Sequence, residues 1–342
     1  MPVRDKANPW LRTLDTYVPG QIREGYIKLS SNENNYGPSP KVINKLRQKS
    51  PSVYRYPYKD SELRDKVASY AGVKPENILV GNGSDELIDF TVKTFKGDGC
   101  GLYPGFSWYR IACNANGRRY YPVQLEKDFT VDVRKFLKAS KKAKILFIDN
   151  PNNPTGSVMG EADLKKILAT GKITVIDEAY FEFYGKTAAK LIRKYDNLIV
   201  LRTFAKAFGL AGLRVGYAIA AEETIGLLRK VKPPFNVNLL AQEAALVALE
   251  DRTYMRSCVR KIVKDRKEAY TALSNRFKTY PSNTNFILVD TTPLKSKQFF
   301  NKLLKEKIIV RNFGRLKGFK GEYARITIGT TKENQKLLKT LR

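Results

Sequence analysis

Short, β-rich apolar runs that recur between amphipathic helical stretches constrain this chain more than any other feature. The runs fall at residues 77–80, 144–148, 172–176, 197–201 and 215–219, and helical periodicity fills 61–70, 85–95 and 161–168. A strand that is apolar on both faces must be covered on both, and strand–helix alternation achieves this with a largely parallel sheet between helices. From 239 to 277 apolar residues recur every three or four positions, which predicts one long helix. Strand-like runs at 285–289, 308–310 and 324–328, with a helix over 296–305, then predict a smaller α+β unit. The expected fold class is α/β: a large domain over 46–235 with a mostly parallel sheet covered by helices, and a small domain over 236–342. The Asn-, Pro- and Gly-rich segment 1–45 reads as an arm packing on the small domain, and the Pro-Pro-Phe-Asn-Val-Asn run at 233–238 marks the joint.

With 342 residues the chain can bury a core large enough for two domains. It contains no histidine at all. That excludes Ser-His-Asp and Cys-His catalysis and histidine-ligated zinc, and leaves proton transfer to lysine, tyrosine and carboxylates. Cys100, Cys113 and Cys258 are odd in number and not spaced as metal ligands, so no metal site is expected and a reducing compartment is the default. The polar first residues lack a signal-peptide apolar region, and the nearest approach to a membrane span, 209–221, is interrupted by Arg214. A cytoplasmic protein without a membrane partner is expected. The net charge of +29 admits a basic nucleic-acid-binding protein as the non-enzymatic alternative. The cations are spread over separate helices and turns rather than gathered in a stripe. Solvated faces and attraction for anionic ligands account for that pattern, and no nucleic-acid partner is expected.

Ligands of parallel α/β sheets sit beyond the carboxyl ends of the strands, and four strand ends here carry informative residues. Gly81-Asn82-Gly83-Ser84-Asp85 opens a helix; it reads as a phosphate cradle or as an N-cap turn closed by Ser84 or Asp85. Asp149 to Gly156, Asp-Asn-Pro-Asn-Asn-Pro-Thr-Gly, is a rigid loop that presents amides, or a plain turn. Asp177, ahead of Glu178, Ala179 and Tyr180, would answer a cation such as a protonated pyridine nitrogen, or cap a helix. Lys206 lies among Phe204, Ala205, Ala207, Phe208 and Leu210, with Arg214 close behind. Burial there would lower its pKa and make it a Schiff-base nucleophile; the alternative is a helix-start lysine that snorkels to water. Together the four ends offer a phosphate cradle, a hydroxyl partner, an acid for a ring nitrogen and an amine for an aldehyde, the requirements of pyridoxal 5′-phosphate.

The order and wording of these motifs resemble the fold-type I pyridoxal-phosphate aminotransferases of class II, and within them the histidinol-phosphate aminotransferase family. The resemblance runs nearly end to end. It includes the runs at 17–20, 31–34, 37–40, 54–57, 232–238, 284–286, 309–313 and 325–330. It implies that Lys206 carries the cofactor and shuttles the proton, that Asp177 pairs with the pyridinium nitrogen, and that Asn153 and Tyr180 bond the ring oxygen. It further implies that Phe106 stacks on the ring, and that Gly83, Ser84, Asp85, Thr203 and Arg214 hold the phosphate. Tyr56 would reach the phosphate of a neighbouring subunit, implying a homodimer. Arg325, with Arg311 beside it, would read the anionic end of the substrate, and Tyr17 and Asn34 would line its pocket; otherwise the two arginines are surface residues at strand ends. The implied reaction converts histidinol phosphate and 2-oxoglutarate to imidazole-acetol phosphate and glutamate in histidine biosynthesis. Threonine-phosphate decarboxylation and aromatic amino-acid transamination are the enzymatic alternatives. Two positions depart from the family: Ala205 replaces a serine that donates to the cofactor phosphate, and Asn35 replaces a proline, which would loosen the arm.

Overall fold

The computed structural model describes residues 2–14, 16 and 20–341. Strands β1 (Ile27–Leu29) to β12 (Tyr323–Thr327) form two sheets. The larger contains β2 (Ile78–Gly81), β3 (Gly99–Tyr103), β4 (Tyr120–Gln124), β5 (Ile145–Asp149), β6 (Ile173–Asp177), β7 (Leu198–Thr203) and β8 (Gly216–Ala220), in the order β2-β8-β7-β6-β5-β3-β4. From β7 to β4 every pairing is parallel, whereas β8 runs antiparallel to both β7 and β2. β5, β7 and β8 are buried along their whole length, as a sheet covered on both faces requires. The second sheet contains β1, β9 (Lys278–Thr279), β10 (Phe286–Asp290), β11 (Ile308–Gly314) and β12, in the order β1-β11-β12-β10-β9. β1 pairs parallel with β11, so this early segment supplies a strand of the second sheet.

Four strands of the two sheets, β1, β3, β4 and β9, carry no strong strand signal. β3 reads Gly-Cys-Gly-Leu-Tyr, and glycine weakens strand propensity. The glycine at 101 is required, because a Cβ there would lie 2.8 Å from the Phe147 carbonyl oxygen. β4 contains Pro122, tolerated because β4 is the sheet edge. The single helix expected over 239–277 is two, Leu239–Glu250 and Arg252–Ser274, broken at Asp251. The Asp251 carboxylate accepts from Ser39 and faces Lys41, which ties the break to the helix Pro40–Lys49.

Beneath the carboxyl ends of β6 and β7 lies a buried ion pair. Arg202 Nη2 sits 2.9 Å from Glu178 Oε2, and the guanidinium stacks 3.6 Å from the Phe181 ring centroid. Both side chains are almost wholly buried, so the pair braces the strand ends that carry Asp177 and Thr203.

Candidate active site

The carboxyl ends of β2, β5, β6 and β7 converge on a cavity of about 360 Å³, within the range of small-molecule sites. Ser84, Asp85, Phe106, Asn153, Asp177, Tyr180, Thr203, Lys206 and Arg214 all line it. A smaller cavity of about 160 Å³ adjoins it and shares Phe106, Asn153, Tyr180 and Lys206. Arg311 and Arg325 line that second space and face each other across the β11–β12 register. Sequence positions more than two hundred residues apart are thus assembled around one lysine.

Lys206 occupies the bend after β7, not a helix start. Its Nζ donates to the Ser31 carbonyl oxygen at 3.1 Å. Burial, and then the nearby Arg325 guanidinium, bring its pKa down to about 8, which puts a usable fraction of neutral amine near physiological pH.

Asp177 ends β6, buried, with its Oδ2 accepting from the Tyr109 hydroxyl at 2.8 Å and its Oδ1 from the Ala179 N–H at 3.0 Å. The local bond to Ala179 is of the capping kind, but the second oxygen faces the cavity wall. Burial raises its pKa to about 6, and it has no ion-pair partner among the described residues. A carboxylate so placed lacks a cation.

The helix Ser84–Thr94 begins at Gly83, whose φ of 84° lies in the left-handed region, and no side chain caps it. Ser84 and Asp85 are therefore helical residues, not caps. A Cβ on Gly83 would stand 2.5 Å from Arg214 Nη2, so glycine is what lets the guanidinium approach this helix start. Arg214 itself holds φ 54°, uncommon for arginine, and bonds Asp85 Oδ2 at 2.7 Å. Free helix N–H groups beside a guanidinium form an anion site.

Tyr180 Oη accepts from Asn32 Nδ2 at 2.7 Å, and burial raises its pKa to about 12, so its hydroxyl remains protonated. Arg325 donates to Asn153 Oδ1 and, at 2.7 Å, to the Ser30 carbonyl oxygen. With its oxygen engaged, the Asn153 amide presents its NH2 as a donor. Phe106 packs edge-on against Tyr109 with ring centroids 5.5 Å apart, and Thr203 Oγ1 accepts the Ala205 N–H at 3.0 Å.

Asn34 and Asn35 differ from expectation. Asn34, expected at the substrate, lines neither cavity; its Nδ2 donates to the Ala207 carbonyl oxygen at 2.9 Å and braces the bend that carries Lys206. Asn35 does not loosen the arm, because its Nδ2 donates both to the Lys28 carbonyl oxygen and to Glu333 Oε2 at 3.0 Å. Tyr56 lies outside the cavity, 75% exposed and stacked on Phe235 at 4.5 Å. Tyr17 lies outside the described residues.

Sequence reasoning did not single out Asn32, Tyr109 or Asp149. Asp149 accepts the N–H groups of Phe106 at 3.2 Å and Asn153 at 2.9 Å, which joins the two loops that flank the cavity. The available signal for Asn32 was its place in an Asn-rich turn, since asparagine tolerates the left-handed conformation it adopts here, φ 58°. Tyr109 carried none, being one aromatic among many on a helix face.

The cavity fits pyridoxal phosphate: an anion site at a helix start, a buried carboxylate lacking a cation, and an amine of lowered pKa stand on one surface. Fold and site together define a fold-type I pyridoxal-phosphate enzyme. The chain belongs to the aminotransferase class I and II family, whose model matches residues 24–341, and within it to the histidinol-phosphate aminotransferases. It is 36% identical to the histidinol-phosphate aminotransferase of Methanocaldococcus jannaschii over 99% of this chain and 97% of that one. It is 41% identical to that of Thermoanaerobacter pseudethanolicus over 92% of each. The histidinol-phosphate aminotransferase structure from Clostridium acetobutylicum superposes with a TM-score of 0.86 at 25% identity, covering 92% of this chain and 98% of the other. The Sinorhizobium meliloti enzyme, solved in complex with pyridoxal-5′-phosphate, has the same fold, with a TM-score of 0.88 at 24% identity over 98% and 96% of the two chains.

Proposed function

We propose that this aminotransferase moves the amino group of histidinol phosphate to 2-oxoglutarate, yielding imidazole-acetol phosphate and glutamate, in histidine biosynthesis in the cytoplasm. The observation that carries the reading is the Arg311–Arg325 pair, set across β11 and β12 at the end of the cavity that shares Lys206. Two guanidiniums facing one space suit a phosphate dianion better than a single carboxylate. The names of the curated relatives, at 36–41% identity over nearly the whole chain, support the same substrate over threonine phosphate or aromatic amino acids.

When bound, pyridoxal phosphate supplies an aldehyde that condenses with amines and a ring that withdraws electrons from the substrate Cα. The chain's residues do the rest. The N–H groups at Ser84 and Asp85, the Thr203 hydroxyl and the Arg214 guanidinium would hold the phosphate, with Gly83 leaving room. Asp177 would hold a proton on the ring nitrogen, and Tyr109 would keep that carboxylate oriented. Asn153 and Tyr180 would donate to the ring oxygen, and Phe106 would cover a ring face. The neutral Lys206 amine would take the proton from Cα and return it on the other side of the transfer.

Homodimerisation belongs to this reading. Val53, Tyr54, Tyr56, Tyr58 and Phe235 expose 54–77% of their surface in one region of sequence and contact, centred on the Tyr56–Phe235 stack. A second copy would cover them and bring Tyr56 to its partner's phosphate site.

The test is a substrate panel with cofactor-loaded protein: histidinol phosphate, phenylalanine, tyrosine and threonine phosphate, each with 2-oxoglutarate. Histidinol phosphate should give the highest kcat/KM, with amino transfer and no release of carbon dioxide. A higher value for phenylalanine, or decarboxylation of threonine phosphate, would refute the reading.

A further inference from the structure

A transaminase that joins these two substrates must admit two unlike side chains to one space in turn. One bears an imidazole, which donates N–H and is partly cationic near neutral pH. The other, 2-oxoglutarate or glutamate, bears a distal carboxylate. A lone cation opposite the arginine end would repel the first, and a lone carboxylate would repel the second.

The larger cavity answers this with an ion pair. Lys28 and Glu33 both line it, with Lys28 Nζ 2.7 Å from Glu33 Oε1. Neither lines the smaller cavity that holds Arg311 and Arg325, whereas Lys206 lines both. The reacting amine is thus common to two differently equipped spaces. Ile22 lines the larger cavity with the pair, and the uncharged Gly20 and Ser31 line both cavities. The two side chains are 23% and 32% exposed, enough for a ligand to reach them.

The backbone that carries them is fixed. Lys28 is the central residue of β1, in register with Ile309 of β11. Glu33 follows the left-handed Asn32, whose N–H donates to Thr327 Oγ1 at 3.0 Å and whose carbonyl oxygen accepts from Asn285 Nδ2 at 3.0 Å. The same turn delivers Asn32 Nδ2 to Tyr180, so the pair's position is set by the segment that organises the cofactor face.

We infer that Lys28 and Glu33 form a two-faced subsite that reads the side chains of both substrates: Glu33 accepts the imidazole N–H, and Lys28 takes the distal carboxylate of the 2-oxo acid. Each substrate exchanges one contact of the resting pair for one of its own. Glu33 discriminates in favour of imidazole over phenyl, which has no N–H to give. This inference rests on the proposed function and adds the determinant of its dual specificity.

The test is a pair of near-isosteric variants, Lys28→Met and Glu33→Gln, in the cofactor-loaded protein. The half-reactions with glutamate and with histidinol phosphate are followed separately, and the readout is the ratio of their kcat/KM values. Lys28→Met should lower the glutamate-to-histidinol-phosphate ratio and Glu33→Gln should raise it, each by about five- to tenfold for a partly exposed charged contact. Calorimetric titration with glutarate, a dicarboxylate that cannot react, should show weaker binding to Lys28→Met than to wild type by a similar factor. Ratios that move together, or stay put while both activities fall, would overturn the subsite and leave a merely structural pair. Wild-type protein that turns over glutamate but not histidinol phosphate would instead refute the proposed function and the Glu33 half with it, and glutarate binding would still decide Lys28. If either variant loses its fold, Lys28→Gln and Glu33→Ala remove the same charges through other side chains. Those variants must then shift the same ratio in the same opposed directions, or the inference fails.

Discussion

The hydroxyl of Tyr109 donates to Asp177 Oδ2 at 2.8 Å, inside a buried setting where the carboxylate meets no cation among the described residues. The bond stabilises the charged form of Asp177 against a burial that favours the neutral one. A pyridinium nitrogen needs the charged form. Tyr109→Phe should therefore weaken pyridoxal phosphate binding by about tenfold, the lower range for a hydrogen bond to a charged group. Equilibrium dialysis of the cofactor measures it. Because Tyr109 also stacks on Phe147 at 5.0 Å, and phenylalanine preserves that contact, thermal stability should change little.

Asn32 combines a backbone requirement with a side-chain one: φ 58° and the 2.7 Å donation to Tyr180. Two substitutions separate them. Asn32→Gly keeps the left-handed turn and loses the donor, whereas Asn32→Ala loses both. Both should lower kcat several-fold through a less fixed Tyr180, and the alanine variant should be less stable than the glycine variant by about 1 kcal/mol. Urea denaturation of the two reads the difference. Equal stability would show that the turn imposes no strain on a Cβ.

How much of this was legible beforehand follows from what each residue depends on. Lys206, Asp177 and Arg214 stand at strand ends, where a run of apolar residues stops and a polar one begins, so the break in pattern marks them. Their convergence follows from parallel topology. The Arg311–Arg325 pairing depends on the register of β11 and β12, and only the family resemblance suggested it. Asn34 and Tyr109 were misjudged or missed because their roles are set by contacts 173 and 68 residues away in sequence. Likewise Asp251 at the break is held by Ser39, a long-range partner that periodicity within 239–277 cannot register. Glycines hid β3, since their value lies in close approach to Phe147 and not in strand propensity.

Asp149 and Asp177 end adjacent strands in register, and burial raises their pKa values to about 7 and about 6. A carboxyl whose pKa is raised on folding holds its proton more tightly in the folded state. Its stabilising contribution is complete below the unfolded carboxylate range and is lost as pH rises through about 6 to 7. Lys206, lowered to about 8, begins to release its proton in the folded state toward pH 8 and offsets part of this loss in wild type and variant alike. In cofactor-free protein, Asp149→Asn should therefore reduce the loss of stability between roughly pH 5.5 and pH 8 relative to wild type. Urea midpoints at the two pH values decide it, and parallel losses would show that Asp149 keeps its charge throughout.

Ala205 lines the cavity next to Lys206 and is buried at 6% exposure, at the position where the resemblance implies a serine. Its N–H is already held by Thr203 Oγ1 at 3.0 Å, so the backbone there is fixed before any cofactor arrives. A hydroxyl added at this Cβ would enter a fixed frame beside the anion site of Ser84, Asp85 and Arg214, which lines the same space. It would lose little freedom on bonding a phosphate oxygen. Ala205→Ser should then tighten pyridoxal phosphate binding by about tenfold or more, the expected gain for a hydrogen bond to a charged acceptor. It should do so without raising kcat at saturating cofactor, because the added bond is the same in ground and transition states. Equilibrium dialysis and kcat on one preparation test both halves. Unchanged affinity would mean that the four groups already present saturate the phosphate and that alanine here removes nothing.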